Sequence, residues 1–155
     1  NDEMGLLQGL IEAGNYKEDE AYRKKLVIQR NGKKLFEFTV RPLSDDEFFE
    51  CRKKSTKRLP NPAGRKLPPI DGETDISRFR SWKIYMATID EDRAKIWDNK
   101  KMQEALNVLT NVDLISKVFM DAEKDWIIEE IDKLGVGITE DGTEESVSLE
   151  EYAKN

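Results

Sequence analysis

TNVDLISKVFMDAEKDWIIEEIDKLGVG, residues 110–137, is the stretch against which the rest of the chain has to pack. Thr110 and Asp113 have the spacing of a helix start, where a Thr hydroxyl accepts a bond from a backbone N–H that has no partner inside the helix. Val112, Ile115, Val118 and Phe119 recur at helical spacing, and Ile127, Ile131 and Leu134 do so again. The pattern predicts two short helices in tandem, with Glu123, Lys124, Glu129, Glu130 and Lys133 on a solvated face. Gly135 is expected to close the second helix in the left-handed conformation that glycine adopts without a Cβ clash.

Working outward, residues 25–41 read as a β-hairpin. Leu26, Val27 and Ile28 lead to Asn31-Gly32, and Phe36, Phe38 and Val40 alternate with Glu37, Thr39 and Arg41. Asn-Gly between β-rich runs favours the primed turn, which needs positive φ at both central positions. A lone hairpin is marginal in water, so this one must lie on helices, gain a third strand or pair with another subunit. After Pro42, Ser44 and Glu47 have the spacing of a capping box. The helix that follows is expected to run to about Arg58, with Phe48, Phe49 and Cys51 as its apolar content.

Residues 59–75 hold Pro60, Pro62, Pro68 and Pro69 and are expected to form an extended, mobile linker. Ile76, Phe79, Trp82, Met86 and Ile89 fit a helical stripe, Trp82-Lys83-Ile84-Tyr85 fit an alternating strand equally well, and length favours the helix. Ile96-Trp97 reads as a short extended piece tucked into the core, and Asp98 or Asn99 as the cap of a helix carrying Met102, Ala105, Leu106 and Leu109. At the N-terminal end Leu6, Leu7, Leu10 and Ile11 share one helical face. That segment is either a bland tail or a partner-binding arm. At the other end Glu140, Asp141, Glu144, Glu145, Glu150 and Glu151 against Lys154 make an acidic tail. The expected fold class is mainly α (α+β), an N-terminal hairpin followed by about five short helices. The expected division is an arm at 1–24, one domain at 25–137 and the tail at 138–155.

Composition limits the chemistry. There is no histidine and a single cysteine, Cys51. A Ser-His-Asp or Cys-His site cannot form within this chain, nor can a zinc site of His and several Cys. Cys51 precedes Arg52-Lys53-Lys54, cations that can activate a thiol, but a half-buried structural thiol is the plainer reading. The paired carboxylates sit at helix starts, on polar faces or in the tail. No catalytic residue, metal site or cofactor is expected. The net charge of −6 opposes non-specific binding to DNA or an anionic membrane, and no apolar run has the length of a membrane span. Against that balance, Arg52, Lys53, Lys54, Lys57, Arg58, Arg65 and Lys66 form a run of seven cations without an acid. The run can contact a nucleic-acid backbone, complement a helix C-terminus, or pair with the acidic tail. Phe48, Phe49, Trp97 and Trp126 are the candidate partner contacts, although tryptophans in such polar flanks are more often core anchors, with a partner surface as the alternative.

The order of these pieces resembles a phage family. It runs from Phe38-Thr39-Val40-Arg41-Pro42-Leu43-Ser44 through Asp45-Asp46-Glu47-Phe48-Phe49, a basic proline-rich connector and the aromatic segment 79–89. It continues to Lys101-Met102-Gln103-Glu104-Ala105 and closes at Leu134-Gly135-Val136-Gly137. Over about residues 25–137 it is similar to the XkdN-like tail assembly chaperones of tailed phages and defective Bacillus prophages. It departs from them at Asp90-Glu91-Asp92-Arg93, where the family pattern leads one to expect a proline. The resemblance implies a non-enzymatic, cytoplasmic protein of the bacterial host. Such a protein binds the tape-measure protein and recruits tail-tube subunits, with no membrane and no cofactor. Self-association stays open. The alternative is a nucleic-acid-associated adaptor acting through the cationic run.

Overall fold

The computed structural model describes residues 2–135. The acidic segment 138–155 lies outside the described residues. The fold is α+β and mostly helical, as the sequence predicts. In chain order it runs α1 (Asp2–Gly14), a 3-10 turn (Glu20–Tyr22), β1 (Lys24–Arg30), β2 (Lys33–Val40), α2 (Asp45–Ser55), β3 (Thr56–Leu59), β4 (Ile70–Thr74) and α3 (Ile76–Ala87). It continues with the single turn α4 (Asp90–Asp92), a π turn (Arg93–Trp97), α5 (Lys100–Ala105), α6 (Asn111–Val118) and α7 (Asp121–Leu134).

The first hairpin forms at Asn31-Gly32, whose φ values of 53° and 75° are those of a primed turn. A bulge after Ile28 leaves Leu35 outside the ladder and exposed. Leu26, Ile28, Phe36, Phe38 and Val40 share one face, which lies on helices. The chain leaving α3 also touches the hairpin edge, through a bridge from Val40 to Thr88 and a 3.0 Å bond from the Ile89 N–H to the Thr39 carbonyl. Two of the three partners open to the hairpin are therefore used, the helices fully and a third strand for one residue.

The core centres on four rings, Phe36, Phe38, Trp97 and Phe119, every pair of which lies within 5.6–6.2 Å between centroids. Ile84, Leu114, Ile115, Ile127 and Ile131 enclose them. Trp97 belongs to a π turn, closed by the Asp98 N–H on the Arg93 carbonyl at 2.8 Å, and not to the expected extended piece. Its Nε1 donates to Thr88 Oγ1 at 3.1 Å, so the indole is buried without an orphaned donor.

The tandem helices are where the pattern places them. Thr110 accepts from the Asp113 N–H at 3.2 Å, and Val112, Ile115, Ile127 and Ile131 are buried. Two corrections concern the second helix. Gly135 ends it at φ −88°, so no left-handed glycine is used. Lys124 and Glu130, expected on the solvated face, are buried. Lys124 Nζ donates to the Ser77 carbonyl and to the hydroxyls of Ser77 and Ser116. Glu130 pairs with Lys24 at the start of β1, and Glu123 binds Arg30 at its end through two bonds of 2.7 and 2.9 Å. The polar face of α7 is thus a second interface, clamped to both ends of β1.

Four further expectations are corrected. The helix after Ser44 stops at Ser55, and the proline-rich linker is a second hairpin. In it β3 pairs with β4, and the hydroxyls of Thr56 and Thr74 meet at 2.7 Å. At Gly72 a Cβ would lie 3.0 Å from the Leu59 side chain and 3.3 Å from the Lys57 carbonyl, so the strands pack closely there. The stripe along α3 is rotated: Ser81, Ile84 and Ala87 face the core, while Ile76 is 61% exposed. The helix capped by Asn99 ends at Ala105, Asn107 turns left-handed at φ 57°, and Leu109 points to solvent.

Ile131 is 2% exposed beneath the hairpin and α3. Ile131→Asp removes about 1.5–3 kcal/mol of apolar burial and leaves a charge without a partner. The expected outcome is loss of the cooperative thermal transition in circular dichroism; an unchanged melting temperature would show that α7 is not core.

Candidate functional site

The surface features divide between α1, the α2–β3–β4 region and the outer side of α7. α1 has no buried residue. Met4, Leu6, Leu7, Leu10 and Ile11 are each more than half exposed, and the helix carries Asp2, Glu3 and Glu12 but no base. Its C-terminal side is tethered to the body by Lys17, whose Nζ lies 3.9 Å from Glu47. A helix of this length is marginal in water without a packed face, and among the described residues nothing covers this one.

α2 is built by its cap. The Ser44 hydroxyl accepts from the Glu47 N–H, and the Glu47 carboxylate accepts from the Ser44 N–H at 3.0 Å, the capping box that the sequence predicts. Arg41 grips the same carboxylate at 3.0 and 2.6 Å. Burial pushes the Glu47 carboxyl up, but Arg41 and the Ser44 N–H outweigh it and bring the pKa to about 2. One turn on, Phe48 stands edge-on to Phe79 at 5.4 Å, with Lys83 Nζ 5.3 Å from its ring. Cys51 is fully buried, and burial raises its thiol to about 12. That matches the structural reading of this thiol.

Phe49, on the other side of α2, is 66% exposed. With Arg52, Lys53, Thr56, Arg58 and Asp71 it lines an open groove of about 380 Å³. The cationic run is only partly gathered there. Lys54 turns away to lie 4.7 Å over the Trp82 ring, and Arg58 makes an exposed 3.4 Å pair with Asp71. Lys57 is exposed on β3, while Arg65 and Lys66 lie in the connection between β3 and β4, outside the groove lining.

The four aromatic candidates do not form one patch. Phe48 and Phe49 share α2 but face different neighbours. Trp126 lies on α7 beside Val27, Ile28 and Gln29, 40% exposed. Trp97 is 0% exposed and holds the core together, so it is removed from the partner-contact set: an indole surrounded by three phenyl rings has no face left for a partner. The residues of α1 were legible as an arm but carried no site assignment. The available signal was their number, five large apolar side chains within eight residues and no second amphipathic segment beside them.

Among the described residues no group of three or more Cys, Asp or Glu converges as a metal site. None of the described helices is long and apolar enough to cross a membrane. These features define a small, mostly helical α+β protein whose unsatisfied elements are surfaces: an apolar acidic arm and a cationic groove. The family model for the phage XkdN-like tail assembly chaperone protein matches residues 7–147, and the chain belongs to that family. The match reaches beyond residues 25–137 at both ends and takes in most of α1. No curated protein and no solved structure matches the chain.

Two outcomes follow from the α2 geometry. The ordinary pKa of the Glu47 carboxyl is 4.5 and the native one about 2. Between those values the unfolded state binds the proton and the native state does not, so stability is complete above about pH 4.5 and falls as the pH is lowered towards 2. Urea midpoints across that window should fall less steeply for Glu47→Gln than for the wild type. Cys51 should resist a water-soluble disulfide reagent in the native protein and react at once in denaturant; fast native labelling would show that the thiol is not buried.

Proposed function

We propose that the protein is a non-enzymatic tail assembly chaperone of the bacterial host cytoplasm that binds the tape-measure protein and recruits tail-tube subunits to it. Family membership supports the class. The observation that carries the client-binding step is α1. Met4, Leu6, Leu7, Leu10 and Ile11 form an apolar helical surface that the protein's own core leaves uncovered. An amphipathic helix of this kind suits helix-on-helix capture of a long helical client, with Met4, Leu7 and Ile11 as anchors at i, i+3 and i+7. Its three acids and lack of bases favour a client stripe flanked by cations. Phe49 and Trp126 are the further exposed contacts, and Phe48 contributes the edge it leaves open beside Phe79. An exposed apolar arm explains how such a protein keeps an aggregation-prone partner soluble: it exchanges one apolar surface for another and hands the partner over when tail-tube subunits take its place.

Co-expression with the tape-measure protein of the same gene cluster, followed by size-exclusion chromatography with light scattering, tests the proposal. A soluble, co-eluting complex is expected. Leu7→Glu with Leu10→Glu should leave the melting temperature unchanged, because neither side chain touches the core. Losing two buried leucines at roughly 1.5–3 kcal/mol each should weaken the complex by more than about a hundredfold. A client that stays insoluble beside the wild type, or a complex indifferent to the double substitution, would overturn the reading.

A further inference from the structure

The groove between α2 and the second hairpin is not explained by α1. Arg52, Lys53, Lys57, Arg65 and Lys66 have no acidic partner among the described residues, on a chain whose net charge is −6. Three cations and one acid line the groove, with Phe49 as its apolar wall. We infer that this groove is the docking site of the chain's own acidic C-terminal segment, residues 138–155.

Position, length and charge support this occupant. The described chain ends at Gly135, which lines a shallow cavity with Ser44, Asp45 and Phe48 at the start of α2. The segment therefore leaves the body beside the helix whose far end carries the groove. From Phe48 to Thr56, α2 and its cap rise by about 12 Å. Glu140 and Asp141 follow Gly135 by five and six residues, a reach of up to about 17–20 Å. Glu144 and Glu145 follow by nine and ten, up to about 30–33 Å. The first acid pair thus reaches Arg52 and Lys53, and the second has length to spare for Lys57 and Arg58. Six acids against the single Lys154 give the segment the sign that the groove lacks. Exposed ion pairs are individually weak, but a short tether holds the segment at an effective concentration of about millimolar, so weak pairs suffice to fill the groove. A groove filled from within is closed to other polyanions, nucleic acid among them.

Zero-length carbodiimide cross-linking of the full chain at low salt, read by mass spectrometry on a mixture of isotopically labelled and unlabelled protein, tests the inference. Links from Glu140, Asp141, Glu144 and Glu145 to Lys53, Lys54 or Lys57 within one copy are expected. They should fall several-fold at high salt, where screening shortens the reach of exposed charges to a few ångströms. They should fall likewise in the Arg52→Glu, Arg58→Glu double variant, which keeps every lysine and alters only exposed side chains. Links spread evenly to Lys33, Lys34, Lys100 and Lys101, or found only between copies, would overturn it. So would tight low-salt binding of single-stranded DNA by the wild type that the double variant abolishes, since the groove would then be open to a nucleic acid. The salt series stands on the wild type alone and does not depend on the variant.

Discussion

A two-stranded sheet buries one face only, and this fold depends on what covers it. Phe36 and Phe38 project from β2 into contact with Trp97 and Phe119, and each ring touches the other three. Three of the six pairs are edge-on arrangements that place the positive rim of one ring against the negative face of another. Trp97 comes from a π turn and Phe119 from the junction of α6 and α7. One cluster therefore ties the hairpin to both the middle and the end of the chain. The π turn is secured by Arg93, whose guanidinium donates to the carbonyls of Tyr85, Met86 and Thr88 at the end of α3. The Tyr85 carbonyl also accepts from the Thr88 N–H at 3.2 Å, while those of Met86 and Thr88 lie past the last helical donor. One side chain thus ends α3, starts the turn and sets the indole.

Charge performs a comparable task around the rim. Lys24 with Glu130 and Arg30 with Glu123 hold α7 across the hairpin. Beside Arg30, the Glu123 carboxyl lies below its ordinary value. Asp92 accepts the Thr39 N–H at 2.7 Å, using a carboxylate where a neighbouring strand would supply a carbonyl. Lys124 is held by two serines and a carbonyl without an acid in contact, and burial lowers its pKa. Charged residues at 37% of the chain thus contribute to the joints as well as to solvation.

What the joints leave over is two exposed surfaces. The core is complete without α1 and without the groove face of α2, so either can be covered without loosening the hairpin. Their characters are opposite: α1 is apolar and acidic, the groove cationic with one aromatic wall.

Local signals carried much of this into the amino-acid order. The primed turn at Asn31-Gly32, the capping box at Ser44 and Glu47, the Thr110 cap and the apolar periods of α6 and α7 each depend on a few adjacent residues, so they could be read in place. The family resemblance was likewise legible in short phrases along the chain. Tertiary structure alone decided the rest. Whether Trp97 met a partner or a core depended on Phe36, Phe38 and Phe119, which are distant in sequence. Lys124 and Glu130 followed the polar period of α7, yet their burial came from Ser77 and Lys24 on other elements. The second hairpin, with so few paired residues around a proline-rich connection, had no alternating pattern long enough to show. Adjacent residues determine turns, caps and faces; which faces meet is decided by contacts that no local pattern contains.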